Sequence, residues 1–413
     1  MSKNSFSAVA LAVALAAGTF AVAPAALAGQ DKPTVSRAAA KPLKEAQDAA
    51  QAKNYDVTVA KAKEALALPN KTPYDSYVAN QMLAFAYARQ GNNAAAAQAM
   101  EAQLDSGYAS PADQATIMKA LASVAYQQKE YAKAADFGQR MVKAGTADAE
   151  TYTLIAQSYY LQGNYKQATS FLSAYVSDQE RRGVTPKEQS LQLIVDSYSK
   201  IGDNASATNW LEKMVGYYPK PNYWNNLLYT MIRAEGNTDR HTLNIYRLMQ
   251  DTKTLKQGTD YTEMAQIALD QGTPGEAVTV IEQGMAAGAF EDKGSKDRNT
   301  RLLESAKKAA ATDKAGMVKF EAEAKAAKSG DADIALGRGF LSYGMNDKAE
   351  EAFTRGIGKG VTKNLDEAQM LLGISQLRQG KKDMSVATFK GIKTTDATFQ
   401  RLAKLWTLHA GAA

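Results

Sequence analysis

The side chains best suited to acid–base or metal chemistry are scarce in this chain, which has two histidines and no cysteine among 413 residues. A metal or catalytic centre needs several such side chains at defined spacing. His241 lies early in a predicted helix and His409 near the chain end, each without a second histidine or cysteine at ligand spacing. Both are predicted to be surface or helix-end imidazoles, and no metal site is expected.

Two glycine clusters have the composition of phosphate-binding loops: residues 337–339 and 356–360. Neither follows a predicted strand, and neither completes the pattern with its lysine and hydroxyl. Asp331 and Asp333 open a predicted helix, where the helix dipole stabilises carboxylates, and too few oxygen ligands flank them for calcium. The sequence therefore predicts no enzyme activity and no cofactor.

The charge balance gives no sign of a nucleic-acid partner. The chain has 49 Lys and Arg against 43 Asp and Glu, a net charge of +6. The lysines of residues 307–328 alternate with glutamates, which is typical of a solvated helical face, and no basic stripe stands out.

The helices that carry these residues are predicted from a sequence pattern that repeats along the chain. Turn glycines recur at separations close to multiples of 36 residues. Around one of them, Gly163, small residues stand seven positions before and five after, and a large apolar residue nine after: Ala156, Ala168 and Leu172. This spacing predicts two antiparallel helices that need neighbours to bury their apolar faces. The turn glycines are Gly91, Gly163, Gly202, Gly272, Gly344 and Gly380.

These positions resemble the tetratricopeptide repeat (TPR) family, over nearly all of the chain after residue 28. The resemblance implies an all-α fold, an α-solenoid of stacked helix–turn–helix hairpins with a C-terminal capping helix. We expect a TPR-like array over residues 43–288, a divergent helical hairpin over 289–330 made of helices 297–311 and 313–328, two further units over 331–393, and the capping helix and tail over 394–413.

The first 28 residues are typical of a secretory signal peptide. Lys3 supplies the positive start, residues 8–22 are apolar and uncharged, and residues 26–28 offer small side chains for cleavage after Ala28. Residues 29–42 are expected to form a flexible lead-in. This layout favours a bacterial periplasmic location, with an uncleaved membrane anchor as the alternative; no transmembrane segment is expected in the mature chain.

A narrower resemblance covers residues 223–290. The segments 223–227, 260–265 and 272–277 are similar to exported TPR proteins associated with TonB energy-transduction systems. This resemblance implies a role in the cell envelope.

The expected function is therefore a non-enzymatic periplasmic scaffold that binds a protein or peptide partner along a concave face, with TonB-type transport as one envelope process. Most of the 20 tyrosines precede Gly272, which favours the front of the chain. An envelope enzyme or small-ligand or glycan receptor that uses the same groove, with Asp196 taking part, is the alternative, and self-association through an end of the stack is a third. The predicted groove residues, on the first helices of successive hairpins, are Gln81, Phe85, Arg89, Lys119, Tyr126, Gln127, Thr153, Gln157, Tyr160, Gln192, Asp196, Lys200, Asn225, Tyr229 and Arg233.

Overall fold

The structure, a computed structural model, describes residues 33–412, and the predicted signal peptide lies outside them. Within this range the chain forms 20 α-helices and no strand. The prediction of an all-α solenoid of helical hairpins is confirmed. None of these helices combines the length and the apolar character needed to cross a membrane.

The chain divides into two compact units, unit 1 ending at Asn204 and unit 2 beginning at Ala205. The helices of unit 1 are α1 (Ala40–Gln51), α2 (Tyr55–Ala67), α3 (Pro73–Arg89), α4 (Asn93–Asp105), α5 (Pro111–Gln127), α6 (Tyr131–Lys143), α7 (Ala149–Leu161), α8 (Tyr165–Arg181) and α9 (Glu188–Lys200). The boundary between the units falls inside the array predicted for residues 43–288. The sequence did not indicate it, because the hairpins on both sides of the boundary have the same repeat pattern.

Unit 2 holds the remaining helices, of which α10 starts at the boundary. They are α10 (Asn204–Tyr217), α11 (Pro221–Ile232), α12 (Asp239–Asp251), α13 (Gly258–Asp270), α14 (Pro274–Ala286), α15 (Lys293–Ala326), α16 (Asp331–Ser342), α17 (Asn346–Lys359), α18 (Leu365–Arg378), α19 (Lys382–Gly391) and α20 (Ala397–Ala412).

The turns between paired helices have the backbone conformation that the sequence predicts. All six repeat glycines have a φ between 72° and 77°, a region that only glycine enters at no steric cost. Two hairpins without such a glycine use a lysine instead, Lys53 at φ 60° and Lys129 at φ 63°. The repeat pattern therefore fixes where each hairpin reverses.

Paired helices approach closely where a glycine faces an aromatic ring. A Cβ added to Gly337 would lie 2.7 Å from the ring of Phe353, and one added to Gly373 would lie 2.5 Å from Phe389. Both rings are almost fully buried. Gly337, which belongs to one of the phosphate-loop-like clusters, thus serves helix packing.

The divergent hairpin predicted for residues 289–330 is wrong. A single helix, α15, runs without interruption over 34 residues. Asp313 was expected to open a second helix, but no proline occurs in the segment and Gly316 is accommodated within the helix. Alanine, lysine and glutamate favour helix strongly, so nothing in this segment ends it.

The flexible lead-in predicted for residues 29–42 is wrong over its last part. The backbone N–H of Ser36 donates to the carboxylate of Asp75, at 2.8 Å, and α1 begins at Ala40. Pro42 is buried near the start of that helix, where its missing N–H costs no hydrogen bond.

The C-terminal helix α20 buries its apolar face within unit 2. Phe399, Leu402, Leu405 and Trp406 are all fully buried. On the same helix, Lys404 lies 2.7 Å from the carboxylate of Glu212 in α10. The helix therefore covers more than the last hairpin of the stack.

One helix of unit 2, α12, is enclosed along most of its length. Residues 241–249 are all buried. Near its start Arg240 lies 3.1 Å from Asp366, near its middle Asn244 donates to Glu367 at 3.0 Å, and its last residue, Asp251, lies 3.0 Å from Arg378. Since Asp366 and Arg378 lie near the start and at the end of α18, the two helices run side by side in the same direction.

Candidate partner-binding surface

The predicted groove residues lie on or directly after five first helices, those that begin a hairpin. Twelve belong to α3, α5, α7 and α9 of unit 1. In unit 2, Asn225 and Tyr229 belong to α11, and Arg233 directly follows it. The predicted groove is thus divided between the units.

On α3 an aromatic ring and a cation lie together. Phe85 is half-buried and meets Tyr55 edge-on, with ring centroids 5.9 Å apart. The guanidinium of Arg89 lies 5.2 Å from the centre of the Phe85 ring, and Gln81 is half-buried one turn earlier. A guanidinium over an aromatic face is held by attraction to the ring, but its edge stays able to donate.

At the ends of α5 and α7 a tyrosine packs against the tyrosine that begins the following helix, α6 or α8. Tyr126 meets Tyr131 edge-on with centroids 5.5 Å apart, and Tyr160 meets Tyr165 at 5.1 Å. Burial raises the pKa of Tyr126 and of Tyr160, and the negative charge of Asp196 adds to the second shift. All four rings are half-buried, and Gln127 beside Tyr126 is exposed. Each pair therefore offers a neutral, rigid ring surface.

Lys119 is engaged by its own chain. Its ammonium lies 2.6 Å from Asp148 and 3.4 Å from Glu150 at the start of α7. Although desolvation opposes the shift, hydrogen bonds from Lys119 and Thr151 hold the pKa of Asp148 at about 2. A partner would have to compete with both carboxylates for this cation.

Thr153 does not belong to the surface. It is buried, its hydroxyl donates to the carbonyl of Ala149 at 2.8 Å, and it lies 3.4 Å from the hydroxyl of Ser190 on α9. The prediction of a groove role for Thr153 is wrong, because this position faces the next first helix. Gln157, one turn later, is half-buried, as is Gln192 on α9.

Asp196 and Lys200 lie one turn apart on α9, and both are exposed. Desolvation by the surrounding protein raises the pKa of Asp196, and the positive charge of Lys200 opposes this shift only in part. Asp196 is near enough to Tyr160 to affect the pKa of its phenol. This end of the unit 1 surface carries one charge of each sign.

In unit 2 the groove residues of α11 bind within the unit. Asn225 donates to the carbonyl of Thr254, at 3.3 Å, and the Tyr229 hydroxyl donates to Asp260. Arg233 is exposed, with its guanidinium 5.8 Å from the centre of the Tyr229 ring. Of the three, Arg233 has the most surface to offer a partner.

The surface of unit 2 that corresponds to the predicted groove is covered by α12, which sequence reasoning missed. Arg378 stands two residues before its turn glycine, the position that Arg89 and Lys200 take in unit 1. Its guanidinium binds Asp251 of α12. A repeat pattern predicts contacts between neighbouring hairpins only, so it gave no signal for a contact across 127 residues.

Buried charges fix α12 in this place. Arg247, 4% exposed, makes two hydrogen bonds to Glu276 at 2.8 and 2.7 Å, while Glu367 accepts from Asn244 at 3.0 Å and from Arg338 at 2.6 Å. Desolvation lowers the pKa of Arg247, but the charge and hydrogen bonds of Glu276, together with the charge of Glu367, more than offset it and raise the pKa. Removing one member would leave a charge buried without its partner.

His241 is structural. Its Nδ1 accepts from the backbone N–H of Thr238 at 3.2 Å, so Nε2 carries the proton and donates to Asp396 at 2.8 Å. Both ring nitrogens are thereby engaged, which leaves no lone pair for a metal or for proton abstraction. The imidazole is buried at the start of α12, which agrees with the helix-end alternative of the prediction and not with the surface one, and it ties the start of α12 to the start of α20.

His409 lies between two tryptophans of unit 2. Its ring centre is 6.1 Å from that of Trp224 and 5.9 Å from that of Trp406, both edge-on. Burial lowers the pKa of His409, because the charged imidazolium loses hydration there.

The two aspartates at the start of α16 have structural partners. Asp331 accepts from the backbone N–H of Thr362 at 3.0 Å. Asp333 is fully buried and lies 2.7 Å from Arg355 and 2.8 Å from Lys359. Across residues 33–412, no three His, Asp or Glu side chains gather in a way that could hold a metal ion.

Comparison with known proteins finds likeness only among solved structures. No protein-family model and no curated protein matches the chain. A tetratricopeptide repeat protein from Parabacteroides merdae is 12% identical, with a TM-score of 0.31, over 80% of this chain and 98% of that one. The C-terminal part of a TPR repeat-containing protein from Cytophaga hutchinsonii is 14% identical, with a TM-score of 0.33, over 64% and 94%.

A third solved structure, the TPR2AB-domain:pHSP90 complex of yeast Sti1, is 15% identical, with a TM-score of 0.25, over 72% of this chain and 98% of that one. Identities and TM-scores this low carry no inference about partner or activity. The assignment of an all-α array of TPR-like hairpins rests on the helices, turns and packing of this chain.

Proposed function

We propose that the chain is a non-enzymatic scaffold that binds a protein or peptide partner through the first helices of unit 1. The observation that carries the proposal is the series of half-buried aromatic rings on α3, α5 and α7: Phe85, Tyr126 and Tyr160. Rigid aromatic side chains with a polar tip contribute most of the binding free energy at protein interfaces. Exposed and half-buried amides beside them, such as Gln127 and Gln157, supply hydrogen bonds to a peptide backbone.

The corresponding surface of unit 2 is not proposed as the binding site. Its cation Arg378 already pairs with Asp251, and Tyr229 already donates to Asp260. A partner there would first have to break contacts made within the unit. Unit 1 offers its aromatic rings at no such cost.

We further propose a periplasmic location and a role in a cell-envelope assembly, with TonB-type transport as one such process. The support is the sequence of the first 28 residues and the narrower resemblance over residues 223–290. Cell fractionation and N-terminal sequencing test this part: the mature chain should begin at Gly29 and appear in the periplasmic fraction. Retention in the cytoplasm would contradict it.

The binding surface is tested by replacing both Tyr126 and Tyr160 with alanine. Loss of two central aromatic anchors should weaken capture of the native partner about 30- to 1,000-fold, at roughly 1–2 kcal/mol each. The control is Tyr108→Ala, which removes an exposed ring from the loop between α4 and α5. Circular dichroism should show equal helicity for both variants.

Two results would contradict the proposed surface. One is unchanged capture by the Tyr126/Tyr160 double variant. The other is a saturable glycan or a turned-over substrate whose binding is lost in Asp196→Asn, which would favour the envelope enzyme or receptor.

A further inference from the structure

A recess of about 180 Å³ lies between α15 and α16 of unit 2. It is separate from the proposed partner surface, because none of the predicted groove residues lines it. An apolar cavity of about 150 Å³ admits benzene, so a recess of this size admits a ligand of about six to eight non-hydrogen atoms. The side chains that decide its chemistry are Asp313, Met317 and Phe320 of α15 and Leu336 of α16.

Two glycines leave this space open. Gly316 of α15 and Gly339 of α16 both line the recess. A Cβ added to Gly316 would meet no atom within 4 Å, and one added to Gly339 would meet only the methyl of Met317, at 3.7 Å. Glycine inside a helix is less stable than alanine, and here, unlike at Gly337 and Gly373, no ring of a neighbouring helix requires it. Helix packing therefore does not account for these two glycines, whereas a bound ligand would.

Asp313 supplies the charge of the recess, and no other lining residue carries one. Its Oδ2 accepts from the hydroxyl of Tyr343, at 2.7 Å, and within residues 33–412 its side chain takes part in no ion pair or further hydrogen bond. Burial and this hydrogen bond raise the pKa of Tyr343, so the phenol stays neutral and remains a donor. The ammonium of Lys314 lies over the Tyr343 ring, 4.7 Å from its centre. One oxygen of the Asp313 carboxylate is thus left for a donor from outside the chain.

The remaining walls of the recess are mostly apolar. Leu336 is 1% exposed, Met317 is half-buried, and Phe320 is 37% exposed. An aromatic face attracts a cation, and a carboxylate beside apolar walls favours a positive head that donates hydrogen bonds and carries a short apolar body. An anion would be repelled by Asp313, and a neutral molecule would leave that carboxylate without a counter-charge.

From this geometry we propose that the recess binds a primary alkylammonium group of about four to six carbons, with its ammonium on Asp313 and its alkyl chain against Met317 and Leu336. The site goes beyond the proposed function, because it lies in unit 2 and the partner surface belongs to unit 1. Two sources have this chemistry, a free amine and the lysine side chain of another protein, and the experiment separates them.

The experiment uses the full chain and ligand-observed saturation-transfer NMR near neutral pH, where the amine is protonated. The first probe is n-pentylamine, with n-pentanol and pentanoate as its neutral and anionic analogues. We expect n-pentylamine to bind, n-pentanol to bind at least about tenfold more weakly, and pentanoate not to bind. Nα-acetyl-lysine N-methylamide is the second probe: tighter binding than n-pentylamine assigns the site to a lysine side chain, and weaker binding assigns it to a free amine.

Two substitutions test the place of binding. Asp313→Asn keeps an oxygen for Tyr343 but removes the charge, and it should weaken n-pentylamine binding about 10- to 100-fold. Gly316→Leu fills the recess and should abolish binding. The matched controls on the same helix are Asp297→Asn, which removes an exposed carboxylate, and Val318→Leu, which enlarges a side chain that is 81% exposed. Circular dichroism should show equal helicity for all four variants.

Each contrary result overturns a stated part of the proposal. Binding of n-pentanol as tight as that of n-pentylamine overturns the cationic ligand. Equal affinities for Asp313→Asn and Asp297→Asn, or for Gly316→Leu and Val318→Leu, overturn the recess as the place of binding. No saturable binding of either amine up to about 50 mM, the weakest affinity expected of six such atoms, overturns the site itself. The unit 1 surface is tested separately, by capture of its partner.

Discussion

The buried ion pair that holds α12 in unit 2 makes a quantitative prediction. Arg247→Ala removes a guanidinium that is 4% exposed and leaves the carboxylate of Glu276, 11% exposed, without the two hydrogen bonds from Arg247. Breaking one side of a buried pair costs about 3–5 kcal/mol, because the remaining charge stays desolvated. With an m-value of about 2 kcal/mol per molar urea, the unfolding midpoint should fall by about 1.5–2.5 M.

Tryptophan fluorescence is the suitable assay, because all three tryptophans of the chain lie in unit 2. They are Trp210, Trp224 and Trp406. Urea unfolding followed at the tryptophan emission therefore reads the unit in which the substitution lies. Circular dichroism on the same samples reads the helices of both units.

The matched control is Arg233→Ala, which removes an exposed guanidinium from the residue that follows the neighbouring helix α11. Its midpoint should change by less than about 0.3 M, as is usual for an exposed side chain. Equal shifts for the two variants would refute the argument that the enclosed charges hold α12. A second check is Arg247→Met with Glu276→Met, which removes both charges and should be less destabilised than Arg247→Ala.

Two further predictions concern unit 2. Burial lowers the pKa of His409, so below the ordinary histidine pKa the unfolded chain binds more protons than the folded chain. The contribution of His409 to the free energy of unfolding is therefore fully present above that pKa and declines as the pH falls below it, by at most about 1.4 kcal/mol per pH unit. His409→Gln should flatten this decline in tryptophan-detected unfolding at pH 5–8, and an unchanged slope would contradict the assignment. Gly316→Ala should stabilise the protein by about 0.5–1 kcal/mol, since the glycine lies inside a helix with no atom near the added Cβ. Gly330→Ala should instead lower the thermal midpoint, because its Cβ would lie 1.8 Å from the carbonyl oxygen of Gly356, and equal midpoints for the two variants would contradict that close approach.

The hairpins could be predicted from the sequence because their determinants are local. A turn glycine such as Gly163 must adopt a positive φ, and the pairing of Gly337 with Phe353 follows from their fixed separation within one hairpin. The same logic failed for α15, where the expected break before Asp313 had no residue to enforce it. A change in amino-acid composition indicates that the exposed surface differs. It does not end a helix, because a helix ends only where the backbone conformation changes.

The candidate surface was predicted less completely than the fold. Phe85, Tyr126 and Tyr160 could be placed on first helices by repeat spacing, but spacing did not reveal that Thr153 faces Ser190. It also gave no hint that α12 covers the equivalent surface of unit 2, since Asn244 and Glu367 are 123 residues apart. Contacts of that range depend on how successive hairpins are rotated, which no single hairpin specifies.

The uninterrupted length of α15 makes it a natural molecular ruler. Lys293 and Lys325 lie near its two ends, 32 residues apart, and a rise of 1.5 Å per residue separates them by about 48 Å. Both side chains are exposed, and the chain has no cysteine of its own. Cysteines introduced at these two positions would carry a pair of spin labels or dyes at a known separation, against which any change of distance elsewhere in the same protein can be calibrated.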